Sequence, residues 1–103
     1  MSDTRELYSR LVRLHVLRHA REEPVFGLWM IEERARRGYR LSPGTLYPLL
    51  SGMVRKGLLR SSRERVNGNV RRIYRAAPAG RAALRTAKKC VQQLLAELFE
   101  DHR

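Results

Sequence analysis

The stretch Arg40-Leu41-Ser42-Pro43-Gly44-Thr45-Leu46-Tyr47-Pro48-Leu49-Leu50-Ser51-Gly52-Met53-Val54-Arg55-Lys56-Gly57 decides the fold. Ser42 before Pro43 reads as a helix N-cap followed by a first helical residue that has no N–H to lose. Leu46, Leu49, Leu50, Met53 and Val54 then recur at the spacing of one buried helix face. At about 100° per residue the opposite face collects Gly44, Pro48, Ser51 and Arg55, flanked by Thr45, Tyr47 and Lys56. Small, polar and basic residues there suit a helix that enters a nucleic-acid groove. Pro48 disfavours helical backbone at Tyr47. The apolar spacing nevertheless continues past it, and Gly44 leaves slack where the ring would press, so the helix is predicted to run through.

Upstream, Asp3 and Glu6 have capping-box spacing, and Leu7, Leu11, Leu14 and Leu17 or Arg18 follow at three- and four-residue steps. This predicts a first helix over about 4–21, stopped by Glu22-Glu23-Pro24. A second helix is predicted from about Val25 to Arg37, with Leu28, Ile31 and Ala35 on one face and Gly38 past its end. Tyr39-Arg40-Leu41 reads as a short extended link. Downstream of Gly57, the segments 58–65 and 70–75 flank Val66-Asn67-Gly68-Asn69, and Asn-Gly is a strong hairpin signal. A last helix is predicted from Pro78 to about Glu100, where Leu84, Ala87, Val91, Leu94 and Leu98 form a heptad seam.

The 103 residues suffice for one small domain, with 22 Lys plus Arg against 10 Asp plus Glu. Residues 1–33 carry a net −1, residues 34–75 net +11 and residues 76–103 net +2. A solvated surface mixes signs. A 42-residue block of one sign implies a polyanionic partner, nucleic acid first and an acidic membrane as competitor. No apolar run is long enough to span a membrane and the N-terminus lacks a signal-peptide pattern, so a cytoplasmic location is expected, at the nucleoid when DNA is bound. A single Cys90 excludes an internal disulfide and is expected to pack as a small residue beside the seam. No Ser/His/Asp grouping, phosphate-binding glycine loop or carboxylate pair is visible, so neither an enzyme nor a cofactor is expected.

Three helices, a basic hairpin and a further helix make a winged helix-turn-helix, mainly α with a small β wing, in which the third helix enters the major groove. The expected division is a DNA-binding domain over 1–77 and a dimerisation helix over 78–103. The run Arg40-Leu41-Ser42-Pro43-Gly44-Thr45-Leu46-Tyr47-Pro48-Leu49-Leu50, with Lys56-Gly57-Leu58-Leu59, Arg72-Ile73-Tyr74-Arg75 and Pro78-Ala79-Gly80-Arg81, resembles the signature of the PadR family of bacterial transcription regulators. The resemblance spans roughly residues 8–85. It implies a homodimeric repressor of the compact type with one C-terminal helix, and it places Ser42, Thr45 and Tyr47 at the DNA. Two departures bear on ligand response and wing shape: Leu28-Trp29 follows Gly27 where the family has an aromatic residue, and Val70 replaces a common Pro.

The expected DNA contacts are therefore Arg40, Ser42, Gly44, Thr45, Tyr47, Pro48, Ser51, Arg55 and Lys56 around the third helix, and Arg63, Arg65, Asn67, Asn69, Arg71 and Arg72 on the wing. Ser42 and Thr45 suit helix capping as well as phosphate contact, and the two coexist at one helix N-terminus. Tyr47, at the border of the apolar face, suits packing or DNA contact. The wing is a phosphate clamp or a solvated loop, and Ile73 and Tyr74 read as strand core. Leu7, Leu11, Val91, Leu94, Leu95 and Leu98 are expected to form a homodimer. Trp29 and Met30 either pack or line a pocket for a small aromatic or cationic effector. His15 and His19, one turn apart, suit a surface or dimer contact better than a metal. A constitutive nucleic-acid-binding accessory protein without ligand control is the alternative function.

Overall fold

The computed structural model describes residues 3–38 and 40–100, in the order α1 (Asp3–Glu22), β1 (Val25–Phe26), α2 (Gly27–Arg36), α3 (Pro43–Arg55), β2 (Leu59–Val66), β3 (Asn69–Ala76) and α4 (Pro78–Leu98). The Asp3 side chain and Tyr39, on which the capping box and part of the extended link were expected, lie outside the described residues.

α3 forms as expected. The Ser42 side chain accepts a hydrogen bond from the Thr45 amide at 3.2 Å, and Pro48 sits inside an unbroken helix. At the other end the Gly57 amide donates to Val54 and the Leu58 amide to Met53, both at 2.9 Å, with Gly57 at φ +77°. This is a Schellman ending, and its left-handed residue suits glycine. β2 and β3 pair antiparallel from Leu59 opposite Ala76 to Val66 opposite Asn69. Asn67 and Gly68 close the hairpin at φ +51° and +82°, the backbone of a two-residue turn that follows the natural strand twist.

Two expectations are corrected here. Val25 and Phe26 are not helical. They form a short strand against Tyr74 and Ile73, which makes β3 the centre of a three-stranded sheet in the order β1-β3-β2. α2 accordingly starts at Gly27, and it buries Gly27, Met30 and Arg34 instead of a Leu28/Ile31/Ala35 face, with Leu28 and Ala35 exposed. In α1 the core residues are Val12, Val16, Leu17 and Ala20, while Leu7 and Leu11 stay in solvent.

Met30, Leu46, Leu50, Met53 and Leu59 join Val12, Val16 and Val25 in a fully buried centre. α4 closes the body: the Ala77 amide donates to the Leu58 carbonyl at 3.0 Å, and Leu84 is buried among the core residues. Gly80 lies so close to the Leu58 carbonyl that any side chain would collide with the backbone there. From Lys88 onward every described α4 residue is exposed, Cys90 included, which corrects its expected packing.

Candidate nucleic-acid interface

α3 presents Gly44, Tyr47, Pro48, Ser51 and Arg55 to solvent, because Leu46, Leu49, Leu50 and Met53 occupy its inner face. Arg40, Ser42 and Thr45 line a hollow at its N-terminus. The Ser42 hydroxyl donates to Thr45 Oγ1 at 3.1 Å while accepting from the Thr45 amide. Capping thus occupies Ser42 on both sides, and the Thr45 hydroxyl keeps its own proton to donate. Lys56, the C-cap residue, is exposed.

The strand register divides the wing arginines between two faces. Ser61, Arg63 and Arg65 share a face with Tyr74, Arg72 and Val70, whereas Arg60, Ser62 and Glu64 share the other with Arg75, Ile73 and Arg71. The first face looks across a groove of about 550 Å³ at Tyr47, Ser51, Val54 and Arg55 of α3. In that groove Arg72 Nη1 donates to Ser61 Oγ at 3.1 Å, which braces the guanidinium over the buried Tyr74. Burial raises the Tyr74 hydroxyl pKa, Arg72 opposes that shift, and the nearby Tyr47 adds to it. On the second face Arg75 pairs with Glu64 at 3.3 Å. Arg63 stands directly opposite Arg72, and Arg60 opposite Arg75. Like charges at cross-strand positions destabilise a sheet by themselves, and an anion laid across them reverses the sign. Asn67 and Asn69, at the tip, are exposed.

Away from this groove, α1 and α4 frame a second one of about 450 Å³, lined by Leu11, Leu14, Leu84, Val91 and Leu95 with His15, Arg18 and Lys88 among its polar members. Leu94 and Leu98, 63% and 74% exposed, extend the apolar surface along α4. Of the two readings offered for Met30, packing or lining a ligand pocket, packing holds: it is wholly buried and belongs to the core. Trp29 is half-buried and meets the His19 ring edge-on at 5.0 Å, beside a cleft of about 170 Å³. Burial holds the pKa of His15 and of His19 below the usual histidine value, with Arg34 and Arg18 adding to the shift in each. Among the described residues no group of three or more metal-ligating side chains comes together.

Three features escaped sequence reasoning. Arg34 is 6% exposed and its Nε has no hydrogen-bond partner among the described residues; on a short helix it looked like any solvated arginine. Ser61 as the brace of Arg72 depends on strand register, and the closeness of Gly27 to Tyr47 depends on how α2 meets α3.

The family model of the "Transcriptional regulator PadR-like family" matches residues 16–86, from the middle of α1 through α3 and the wing into α4. The chain belongs to this family. A Mycobacterium tuberculosis protein named "Transcriptional regulator Rv3488" is 48% identical over 95 residues, covering 92% of this chain and 89% of that one. A PadR family transcriptional regulator from Eggerthella lenta superposes with a TM-score of 0.79 at 27% identity, over 96% of this chain and 90% of that one. A PadR-like transcriptional regulator from Bacillus cereus shares the fold, with a TM-score of 0.81 at 20% identity, over 94% and 99% of the two chains. The resemblance carried by the Ser42–Leu50 run is thereby established, and the fold is the winged helix-turn-helix of PadR-like regulators. Regulation of transcription by this family implies a DNA partner. Among the described residues, no helix is long and apolar enough to cross a membrane.

Proposed function

We propose that this PadR-like chain is a homodimeric repressor that binds a two-fold symmetric operator through α3 and the wing. The observation that carries the reading is the groove in which Tyr47, Ser51 and Arg55 of α3 face Arg72 and Ser61 of β2 and β3. A polar helix face and a cationic strand face open into one channel, which suits a duplex whose bases meet α3 and whose phosphates meet the wing. Residues 1–77 act as the DNA-binding part, and 78–103 pair two copies. The apolar surface of Leu7, Leu11, Val91, Leu94, Leu95 and Leu98 is exposed in the single chain. A second copy of α1 and α4 matches it in chemistry, and such a dimer holds two copies of α3 at a fixed spacing.

The test selects bound duplexes from a random pool and then compares Thr45→Ala, Ser51→Ala and Arg55→Ala on the selected operator and on random DNA. Loss of a base contact costs about 1–3 kcal/mol on the operator and much less on random DNA. Equal losses on both DNAs for all three variants would refute the assignment of α3.

The second reading, a DNA-binding regulator without small-molecule control, is favoured by one observation. The cleft beside Trp29 holds about 170 Å³, below the roughly 300–1,000 Å³ of ordinary ligand pockets. Release by an effector then falls to the α1–α4 groove, where Arg18 and Lys88 repel a cation and leave an uncharged aromatic compound as the better fit. Trp29 fluorescence and operator affinity, followed together against planar aromatic compounds, separate the readings: a compound that changes affinity supports ligand control, and a panel without effect supports its absence.

A further inference from the structure

Gly27 opens α2 directly after β1, and the atoms nearest to a side chain there all belong to Tyr47. An alanine methyl at this position would stand 2.6 Å from Cε1 of Tyr47 and 3.0 Å from its Cζ and hydroxyl oxygen, against about 3.5–4.0 Å for an ordinary carbon–carbon contact. The backbone itself accepts alanine, because the glycines with positive φ are Gly38, Gly57 and Gly68. Alanine is also the better helix former. What excludes a side chain at Gly27 is therefore the tyrosine ring, which lies against the bare first turn of α2.

The position of that ring matters to the groove between α3 and the wing. Tyr47 lines it with Ser51, Arg55 and Arg72. Val25, two residues before Gly27, pairs with Tyr74 on the central strand, so the seat of the ring is tied to the base of the wing. Tyr47 is 43% exposed, so a methyl at Gly27 pushes the ring outward into solvent without disturbing the core. The hydroxyl then leaves its place in the groove.

We infer that Gly27 is a positioning residue for DNA recognition: its missing side chain lets the Tyr47 ring rest on α2 and fixes where the tyrosine of α3 meets the duplex. The inference rests on the reading of α3 as the helix that enters the major groove. Gly27 itself touches no DNA and acts through Tyr47 alone.

The experiment measures Gly27→Ala, Tyr47→Ala and the double variant on the selected operator and on random duplex at one salt concentration, with thermal unfolding in parallel. Gly27→Ala is expected to fold, to weaken operator binding by about five- to tenfold, and to leave random-duplex binding nearly unchanged. In the Tyr47→Ala background the same substitution is expected to have no further effect, since the ring it displaces is gone. Operator affinity equal to wild type in Gly27→Ala overturns the inference, as does an equal loss in both backgrounds. Should Gly27→Ala fail to fold, the double variant must recover folding, and a double variant that stays unfolded overturns the inference too. Tyr47→Ala that binds operator normally overturns it while leaving α3 in place, provided Thr45→Ala, Ser51→Ala or Arg55→Ala still weakens operator selectively. If all four are neutral, the reading of α3 falls with it.

Discussion

The chain carries two surfaces of opposite chemistry, neither of them balanced within a single copy. On the α3–wing surface, Arg63 and Arg72 face each other across the strands with no acid between them. On the α1–α4 surface, Leu7, Leu11, Leu94 and Leu98 stand in solvent without a cover. One surface lacks counter-charge and the other lacks apolar contact. The body between them is well packed, with Met30, Leu46, Leu50 and Met53 sealed from water. The contrast teaches that an unbalanced surface on a sound core describes what the molecule meets, because the core does not need either surface to close.

The largest effect is expected from a substitution that breaks the body and so takes both surfaces with it. Gly80→Ala drives a methyl into the Leu58 carbonyl, a backbone atom that cannot step aside. The cost is expected at the upper end of the roughly 1–3 kcal/mol of overpacking or beyond it. Thermal unfolding should show a midpoint lowered by roughly 10 °C or more. A variant that melts with wild type would mean that α4 docks elsewhere.

Next comes the loss of one surface alone. Leu94→Arg puts a charge into the apolar seam at a residue already 63% exposed in the single chain, so each copy should still fold. Sedimentation should show monomers, and operator affinity should fall roughly a hundredfold as two linked half-site contacts become separate events. A wild type that is monomeric at micromolar concentration, or a Leu94→Arg variant that remains dimeric, would defeat the pairing of α4.

The α3–wing surface gives way in smaller steps. Arg63→Ala and Arg65→Ala, on the face shared with Arg72, should each lower the slope of log affinity against log salt by about one, on any sequence. Arg71 points to the other face, so Arg71→Ala should change the slope less. Equal slopes for all three would mean that the duplex wraps the wing tip from both sides.

The smallest effect concerns His15, at the border of the α1–α4 surface, and His19, beside Trp29. Burial and nearby arginines hold both below the ordinary histidine pKa in the folded chain. The unfolded chain then binds more protons, so stability is full above about pH 6.5 and declines as pH falls below it. Melting midpoints measured between pH 7.5 and 5.5 should fall with acid, and less so in His15→Gln. A midpoint that rises with acid would mean that the histidines gain protons on folding, so that acidic neighbours such as Glu33 and Glu22 outweigh burial and the arginines.

Helix α3, the hairpin and α4 were legible because each writes its own local signal: a cap with a stripe, an Asn-Gly turn, a heptad. β1 was not legible. Two residues between Pro24 and Gly27 have no period to display, and their strand character comes from Tyr74 and Ile73, almost fifty positions away. The buried face of α2 was misread for a related reason. A helix of ten residues has under three turns, and the buried residue Arg34 counts as polar in any apolar pattern. Within the candidate site, the α3 residues followed from angular spacing. The split of the wing arginines required the register, which the turn type sets but composition does not reveal.

α4 runs unbroken from the Leu58 contact near its start to the exposed leucines at its end. It therefore behaves as a shaft with a fixed phase. One residue inserted between Leu84 and Val91 would turn everything beyond it by about 100° and advance it by about 1.5 Å, so the leucines would face away from the surface they now continue. Seven inserted residues would nearly restore the angle, within about 20°, while lengthening the shaft by roughly 10 Å. In the proposed dimer, a whole heptad inserted there would keep the leucines facing the partner copy and change the distance between the two copies of α3.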